Sequence, residues 1–350
     1  MKKIATLTFH WATNYGAVLQ AFALQRFLQK NGYETEIINY VPRRVKAIQR
    51  MQWIASRKFL EFRKERCIAA FRKRNLMVSE KLYPNNKSLY QCSNQYDAII
   101  CGSDQIWNTS FTSYAEGKTT LSYFLNFAGA HTKRIAYAVS FGTDKVPEDY
   151  IQAVKSEVEE FSAVSVRERT GLEIAKQIGT EAILVSDPTI LLEKEEYERL
   201  IEKTDLKYGP VFSYIIHDNQ SVAAENSNYV KARYQDEDQS CCPIFGMEEW
   251  LGRIRSAEMV VTNSFHGVML SIIFNRPFIA VLIPGSGMND RIRTVLERVG
   301  LSERCVETFD RNQLDRLCDE NINWHTVNEK LDALRKASES FLLGSLTDRE

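Results

Sequence analysis

Apolar residues along this chain alternate between short runs and longer stretches with helical spacing. The first unit has an apolar run at residues 4–9, helical spacing over residues 17–28 and a second run at residues 35–40. Short apolar runs predict strands, and a strand, a helix and a strand in succession predict a βαβ unit with parallel strands. The carboxyl ends of such strands form the edge at which α/β sheets bind ligands.

The same alternation continues through the rest of the chain. Further strands are predicted at residues 98–101, 135–140, 163–166, 183–185, 211–216, 259–261 and 278–283, and helices at residues 247–257, 268–274, 292–299 and 324–343. We predict an N-terminal Rossmann-like domain at residues 1–178, a second one at residues 179–322 and a closing helix at residues 323–350. The polar stretch at residues 219–242 has no clear period, so the element expected there is predicted to be short or missing.

Composition narrows the class of protein. The length of 350 residues favours two domains, and 45 basic residues balance 45 acidic ones, so nothing in the net charge indicates a nucleic-acid partner. The seven cysteines are odd in number and form no CxxC pair, which is typical of reduced thiols in the cytosol. Polar residues interrupt the apolar start, so residues 4–9 predict a buried strand rather than a signal peptide. We therefore predict a cytoplasmic protein.

One segment departs from this balance of charge. Residues 43–74 contain 12 Lys or Arg residues against two glutamates, and aromatic residues such as Trp53, Phe59 and Phe62 lie between them. Such a segment is suited to peripheral contact with an anionic membrane surface or with a lipid-linked glycan, which would place the protein at the inner face of the membrane. The alternative is a solvated basic helix packed on the first domain.

Three groups of polar residues follow predicted strands of the first domain. Asn14, Tyr15 and Gly16 begin the first helix, where they either contact a ligand or serve only as a helix cap and a tight turn. Asp104 is suited to orient a sugar hydroxyl or accept its proton, and Trp107 to stack on the sugar ring; the alternative is a capping Asp and a buried Trp.

Arg167 is the third of these groups. It ends a predicted strand and is suited to grip a phosphate or carboxylate with both guanidinium nitrogens. The alternative is an ion pair with Glu168 or Asp187.

Two further groups follow predicted strands of the second domain. His266 lies in the segment TNSFHG at the start of a helix, beside amides that attract anions, unless it is purely structural. The helix dipole would lower the pKa of its imidazole and a bound phosphate would raise it, so acid and base roles both stay open. Arg291 and Arg293 follow a loop with two glycines, an arrangement that suits a phosphate but is no dinucleotide fingerprint.

A short acidic run, Asp236, Glu237 and Asp238, imitates the DxD motif of metal-dependent sugar transferases. It lies in a polar stretch rather than after a clear strand. We interpret it as a solvated loop, and we predict no metal and no cofactor.

Five of these segments together resemble the polysaccharide pyruvyl transferase family. They are NYGAVLQAFALQ from residue 14, GSDQIWN from residue 102, SVRE from residue 165, SDPT from residue 186 and TNSFHG from residue 262. They follow the family order over roughly residues 1 to 300, and their joint occurrence is more specific than any single motif.

The resemblance implies an α/β fold of the GT-B-like type, with two Rossmann-type, doubly wound parallel-sheet domains facing a cleft. It also implies transfer of a pyruvyl group from phosphoenolpyruvate, as the donor substrate, to two hydroxyls of one sugar in a surface or capsular polysaccharide precursor. The acceptor would be a sugar or a lipid-linked oligosaccharide, and the product a cyclic ketal.

The resemblance also implies roles for the candidate residues. His266 matches the family's catalytic histidine, and Asp104 is assigned to catalysis with it. Donor-binding residues would be Arg167, Ser264, Gly267, Arg291 and Arg293, and acceptor-binding residues would be Asn14, Tyr15, Gly16 and Trp107.

One position departs from the family pattern, because many members carry an arginine two positions before the histidine and this chain has Ser264. Arg291 or Arg293 would then replace it, or the donor would differ. Two alternatives therefore remain, a GT-B glycosyltransferase that uses a nucleotide sugar and a glycan-binding relative without activity.

Overall fold

The computed structural model describes residues 2–42, 54–112, 120–201, 208–216, 221–237 and 245–347. The chain divides into two compact units. Unit 1 consists of Met1–Leu191 and Leu334–Glu350, and unit 2 consists of Leu192–Ala333.

Unit 1 is built on a parallel sheet of six strands in the order β2-β1-β3-β4-β5-β6. The strands are β1 (Lys3–Leu7), β2 (Glu34–Ile37), β3 (Ala98–Asp104), β4 (Lys133–Val139), β5 (Ala163–Val166) and β6 (Ile183–Leu184). The central strand β3 is buried along almost its whole length, which explains why its sequence is a continuous apolar run rather than an alternating one. All carboxyl ends of the strands lie at one edge of this sheet.

In the described part of unit 1, six helices lie between these strands along the chain. They are α1 (Tyr15–Lys30), α2 (Ile54–Asn75), α3 (Asn86–Leu89), α4 (Thr109–Thr112), α5 (Glu148–Val158) and α6 (Arg169–Gln177). Asn14 begins α1, since its side chain accepts a hydrogen bond from the amide of Ala17. The side chain of Phe71 in α2 packs edge-on against Phe22 in α1, with ring centroids 5.8 Å apart.

Unit 2 is built on a second parallel sheet, with four strands in the order β10-β9-β8-β7. Its strands are β7 (Val211–Tyr214), β8 (Met259–Thr262), β9 (Phe278–Val281) and β10 (Cys305–Val306). The helices are α7 (Lys194–Ile201), α8 (Ser221–Arg233), α9 (Met247–Ser256), α10 (Phe265–Ile273), α11 (Asp290–Val299), α12 (Arg311–Asp319) and the start of α13 (Trp324–Leu346).

Every strand predicted from the sequence is present, but four elements described in unit 2 were not predicted: the strand β10 and the helices α7, α8 and α12. The strand β10 has only two residues, too few for a pattern. The prediction that the element near residues 219–242 is short or missing is wrong, because α8 has 13 residues there. Asn226 and Ser227 are buried in α8 beside Ala223 and Val230, so its inward face shows no apolar period.

The boundaries of the units differ from the predicted domain limits. Unit 1 extends to Leu191 instead of ending at residue 178, because β6 pairs with β5 and completes the first sheet. The residues of α13 from Leu334 onward also belong to unit 1. There the hydroxyl of Ser338 accepts a hydrogen bond from the amide of Ser186 at 3.0 Å, and Arg335 donates to the carbonyl of Ile190 at 2.6 Å.

A close approach between β3 and β4 requires a glycine at position 102. Gly102 has a φ of +145° and pairs with Tyr137 across the two strands. A Cβ atom at this position would lie 2.1 Å from the carbonyl oxygen of Tyr137, which is backbone and cannot move aside. The strand can therefore continue to Ser103 and Asp104 only because residue 102 has no side chain.

We predict that Gly102→Ala lowers the free energy of unfolding by about 1–3 kcal/mol, because the methyl group must push two paired strands apart. Gly344→Ala is the matched control, since nothing lies within 4 Å of its added methyl group in α13. The control should keep or slightly raise stability, because alanine favours a helix over glycine. Denaturant unfolding measures both variants, and equal stabilities would contradict the prediction.

Candidate functional site

The loop between β1 and α1 lies at the carboxyl edge of the first sheet. The side-chain oxygen of Asn14 accepts from the amide of Ala17 at 3.1 Å, so its capping role is established. Tyr15 and Gly16 form the first turn of α1 and are buried. The ammonium group of Lys64 lies 4.8 Å from the centroid of the Tyr15 ring and brings a positive charge to this loop. Contact of Asn14, Tyr15 and Gly16 with an acceptor stays a prediction.

Helix α2 fastens the same loop from its other side. A guanidinium nitrogen of Arg72 donates to the carbonyl of Trp11 at 2.8 Å and to that of Ala12 at 3.3 Å. Arg72 also binds Glu65, whose second carboxylate oxygen accepts from the hydroxyl of Thr13 at 2.6 Å. The loop before Asn14 is therefore held by an ion pair that runs along one side of α2.

His10 is buried in this loop, and its Nδ1 atom lies 3.2 Å from the carbonyl oxygen of Thr8. Burial lowers the pKa of His10 from 6.5 to about 4; hydrogen bonds with Thr8 and Asn39 oppose this effect and the charge of Arg72 adds to it. The imidazole is therefore neutral at physiological pH. Sequence reasoning did not single out this histidine.

The end of β3 and the end of β5 meet through Arg167. One guanidinium nitrogen donates to Asp187 at 2.6 Å and the other to Asp104 at 3.0 Å, whereas Glu168 is 3.9 Å away. Burial alone lowers the pKa of Arg167, but the three carboxylates outweigh it and leave the pKa raised. The ion pair with Asp187, which the sequence left as an alternative, is present.

Trp107 does not offer a face to a sugar, so the prediction that it stacks on an acceptor is wrong. Its side chain is fully buried, and its ring stacks on Phe124 at a centroid distance of 4.9 Å. The indole nitrogen donates to the carbonyl of Tyr123 at 3.0 Å. Trp107 is thus a core residue that supports the segment after Asp104.

In unit 2, β8 leads directly into α10 at the carboxyl edge of the second sheet. The hydroxyl of Ser264 accepts from the amide of Gly267 at 3.2 Å and caps the helix. The amide of Ser264 donates to the hydroxyl of Thr262 at 3.0 Å. A Cβ atom at Gly267 would lie 2.7 Å from that hydroxyl, so only glycine fits this turn.

His266 lies in the first turn of α10, and its ring is buried against Phe265 with centroids 5.1 Å apart. The guanidinium carbon of Arg291 lies 5.7 Å from the centroid of Phe265. The structure therefore brings Ser264, His266 and Arg291 to the same helix start. Arg293 binds Glu307 at 2.6 Å on the surface instead, although the sequence grouped it with Arg291.

Sequence reasoning did not assign a role to Asn263, which lies between β8 and α10 and is 7% exposed. Its side-chain oxygen accepts from the amide of Ile216 at 2.8 Å. Its Nδ2 atom is buried and has no hydrogen-bond acceptor among the residues that the structure describes. A buried amide that lacks an acceptor is costly, so this donor is available for a ligand oxygen. The sequence signals were its position directly after a strand and its place in the TNSFHG segment.

The acidic run is not a solvated loop throughout. Asp236 is buried, and its carboxylate accepts from the amide of Val211 at 2.9 Å, because the turn after α8 lies against the start of β7. Asp238 lies outside the described residues. Within the described ranges, no three His, Cys, Asp or Glu side chains are grouped as a metal ion would require.

The basic segment is only partly described, since residues 43–53 lie outside the described ranges. In α2, Arg63 and Arg66 are exposed, and the side chain of Phe62 is 61% exposed. Where the structure describes a helix, none is both long and apolar enough to cross a bilayer. Contact of this segment with a membrane stays a prediction.

The sequence profile of one family, polysaccharide pyruvyl transferase, matches residues 14–283. The chain belongs to the polysaccharide pyruvyl transferase family. This match confirms the family predicted from the five motifs, and it covers the starts of α1 and α10. No curated protein matches the sequence.

Solved structures of other proteins share the fold of this pyruvyl transferase family member. The UDP-GlcNAc 2-epimerase of Neisseria meningitidis, solved with UDP-GlcNAc, has a TM-score of 0.57 at 10% identity and 99% coverage of both chains. The epimerase of Methanocaldococcus jannaschii has a TM-score of 0.56 at 10% identity, covering 98% of this chain and 100% of that one.

The Anabaena protein Alr3699/HepE, solved with UDP and glucose, has a TM-score of 0.51 at 8% identity, covering 98% of this chain and 100% of that one. Such identities establish the fold alone. Together with the two parallel sheets, they confirm the predicted α/β, GT-B-like architecture.

The buried His10 predicts a pH-dependent component of stability. Between pH 6.5 and about 4 the unfolded chain binds a proton at this imidazole that the folded chain does not bind. Protonation of His10 in the unfolded chain therefore costs nothing above pH 6.5. It lowers the free energy of unfolding by about 3 kcal/mol in total as the pH falls to about 4.

His10→Gln should remove this component, so that its unfolding free energy falls less steeply than that of the wild type over the same pH range. The carboxylates titrate in both proteins, so their effects cancel in the difference between the two unfolding free energies. Urea unfolding at several pH values measures both curves, and parallel curves would show that the prediction is wrong.

Proposed function

We propose that the protein transfers the pyruvyl group of phosphoenolpyruvate to two hydroxyls of one sugar in a polysaccharide precursor, forming a cyclic ketal. Family membership supports the transferase class. The donor assignment is supported by the start of α10. There His266 and Arg291 lie near the helix amides, and the Nδ2 atom of Asn263 has no acceptor among the described residues. Phosphoenolpyruvate carries a phosphate and a carboxylate, and such anions bind at helix starts and to arginine.

The reaction needs one proton donor and one proton acceptor in turn. An acid protonates the methylene carbon of phosphoenolpyruvate, and the first sugar hydroxyl attacks the cationic carbon and loses its proton. The bond from that carbon to the phosphate oxygen breaks, and the second hydroxyl closes the ring. One hydroxyl proton ends on the new methyl group and the other on the phosphate, so atoms and charges balance.

In this proposal, His266 exchanges protons with the donor, and Arg291 and Asn263 hold its anionic groups in unit 2. Ser264 and Gly267 act on the donor indirectly, because both are used to build the start of α10. Asp104 accepts a hydroxyl proton of the sugar in unit 1, next to the loop of Asn14. A cytoplasmic location, and membrane contact through residues 43–74, belong to the same proposal.

Two other functions are tested by the same experiments. A nucleotide-sugar transferase would share the fold, and two similar structures contain UDP or UDP-GlcNAc, but at their low identity they bear only on the fold. A glycan-binding relative without activity would bind a sugar and release no phosphate.

Phosphoenolpyruvate should raise the melting temperature, with a stabilisation of about 2.7 kcal/mol at 100 times its dissociation constant. Arg291→Met should weaken this binding about 10- to 100-fold, since a charged hydrogen bond is lost. Arg293→Met is the matched control in the same helix and should leave binding unchanged, because Arg293 binds Glu307. A thermal-shift titration with UDP-sugars in parallel decides the donor, and stabilisation by UDP-sugars alone would contradict the proposal.

His266→Ala should abolish phosphate release from phosphoenolpyruvate in the presence of methyl hexopyranosides while the variant still melts cooperatively. A positioned acid or base contributes about 100- to 10,000-fold to rate, which is the size of the loss expected. A phosphate assay measures it. Turnover at the wild-type rate would remove His266 from the mechanism, and absence of turnover in the wild type with every sugar would favour the glycan-binding alternative.

A further inference from the structure

Arg167 and Asp187 form the buried end of a chain of charged side chains that reaches solvent at Asp104. The side chains of Arg167 and Asp187 are 0% exposed, and that of Asp104 is 14% exposed. Arg167 therefore lies behind Asp104, on the protein side of the carboxyl edge of the sheet. A donor in solvent meets the carboxylate of Asp104 before it meets this guanidinium.

Asp187 is fixed from two sides. Its Oδ1 atom accepts from the amide of Thr189 at 3.1 Å and from the hydroxyl of Thr189 at 2.8 Å. Its Oδ2 atom accepts from Arg167 at 2.6 Å and from the hydroxyl of Ser103 at 3.1 Å. These four bonds leave Asp187 no freedom to follow a moving arginine.

The two terminal guanidinium nitrogens of Arg167 are also held by hydrogen bonds. One guanidinium nitrogen bonds Asp187 and Ser103, and the other bonds Asp104. If Arg167 turned outward to bind a phosphate, the carboxylate of Asp187 would stay buried without its cation. Breaking a buried pair on one side is strongly unfavourable, which argues against a role of Arg167 as a donor ligand.

Asp104 receives its orientation from this arrangement. It is the last residue of β3, and its backbone has a φ of +75°, which residues other than glycine rarely adopt. Its Oδ1 atom accepts from Arg167 at 3.0 Å and from the amide of Gln105 at 2.9 Å. No hydrogen bond to Oδ2 occurs among the residues that the structure describes, so this oxygen is available to accept from a ligand.

The geometry points to Arg167 as a positioning residue, backed by Asp187, that aims the Oδ2 atom of Asp104 at the acceptor hydroxyl. This assignment rests on the proposed function, in which Asp104 takes the hydroxyl proton. It replaces the donor-binding role predicted for Arg167 from the sequence. Because Arg167 acts through Asp104, its loss affects transfer to the sugar and leaves the binding of phosphoenolpyruvate intact.

The test compares Arg167→Lys and the pair Arg167→Met/Asp187→Asn, in which asparagine removes the buried charge that arginine would otherwise leave unpaired. Arg134→Met is the control, since Arg134 pairs with Glu157 at the start of β4 and lies far from the carboxyl edge. Thermal shift gives the affinity for phosphoenolpyruvate. Phosphate release with methyl hexopyranosides gives kcat and the KM for each substrate.

We expect both Arg167 variants to lower kcat about tenfold or more while the KM and affinity for phosphoenolpyruvate change less than about twofold. The lysine variant should retain more activity than the methionine pair, because it keeps the charge. Adding Asp104→Asn to the methionine pair should cost little more, since both changes act on one carboxylate. The control should keep its kcat.

An affinity for phosphoenolpyruvate that falls about tenfold in Arg167→Lys would overturn the assignment and restore Arg167 as a donor ligand. Full additivity of the Asp104 and Arg167 losses would also overturn it. If phosphoenolpyruvate fails to bind the wild type, the proposed function itself fails. In that case a double-mutant cycle on the melting temperature still decides whether Arg167 and Asp104 are coupled, and no coupling would reject the positioning role.

Discussion

A buried ion pair between Arg167 and Asp187 joins the ends of two neighbouring strands, and the polar edge of the first sheet depends on it. Removing two charges from water is costly, so such a pair survives only when its hydrogen bonds are satisfied. Ser103 and Thr189 provide these bonds from β3 and from the turn after β6. The glycine at position 102 is part of the same constraint, because it lets β3 approach β4 closely enough to place Ser103 there.

The strands could be predicted from the sequence because parallel strands buried on both faces leave continuous apolar runs, as at Ile99 and Ile100 in β3. Helix α8 escaped prediction because it buries polar side chains. The hydroxyls of Ser213 and Ser227 are 2.6 Å apart, so the helix meets its strand through a hydrogen bond where an apolar contact would have left a period. Pattern analysis responds to hydrophobic spacing and misses this type of packing.

The sequence predicted which loops form the candidate site better than it predicted what each side chain contacts. Position after a strand correctly brought Asp104 and His266 to sheet edges, because the carboxyl ends of parallel strands share one edge. No such rule predicts from the sequence in which direction a side chain in these loops points. Trp107 points into the core, Arg167 is taken up by carboxylates, and Arg293 lies on the surface although it is two positions from Arg291. Asn263 shows the converse, since nothing in the sequence reveals that one of its donors lacks an acceptor.

The hydroxyl of Ser264 shows what changes when a family member has serine instead of arginine at this position. In this chain it ends the ladder of amides in α10, a task that arginine cannot perform because its side chain carries no hydrogen-bond acceptor. An arginine there would add a cation beside His266 and would lose a cap worth about 1 kcal/mol of helix stability. Serine at this position therefore gives the helix start a cap in place of a positive charge. In the proposed reaction, a family member with serine takes that charge from a side chain of another helix.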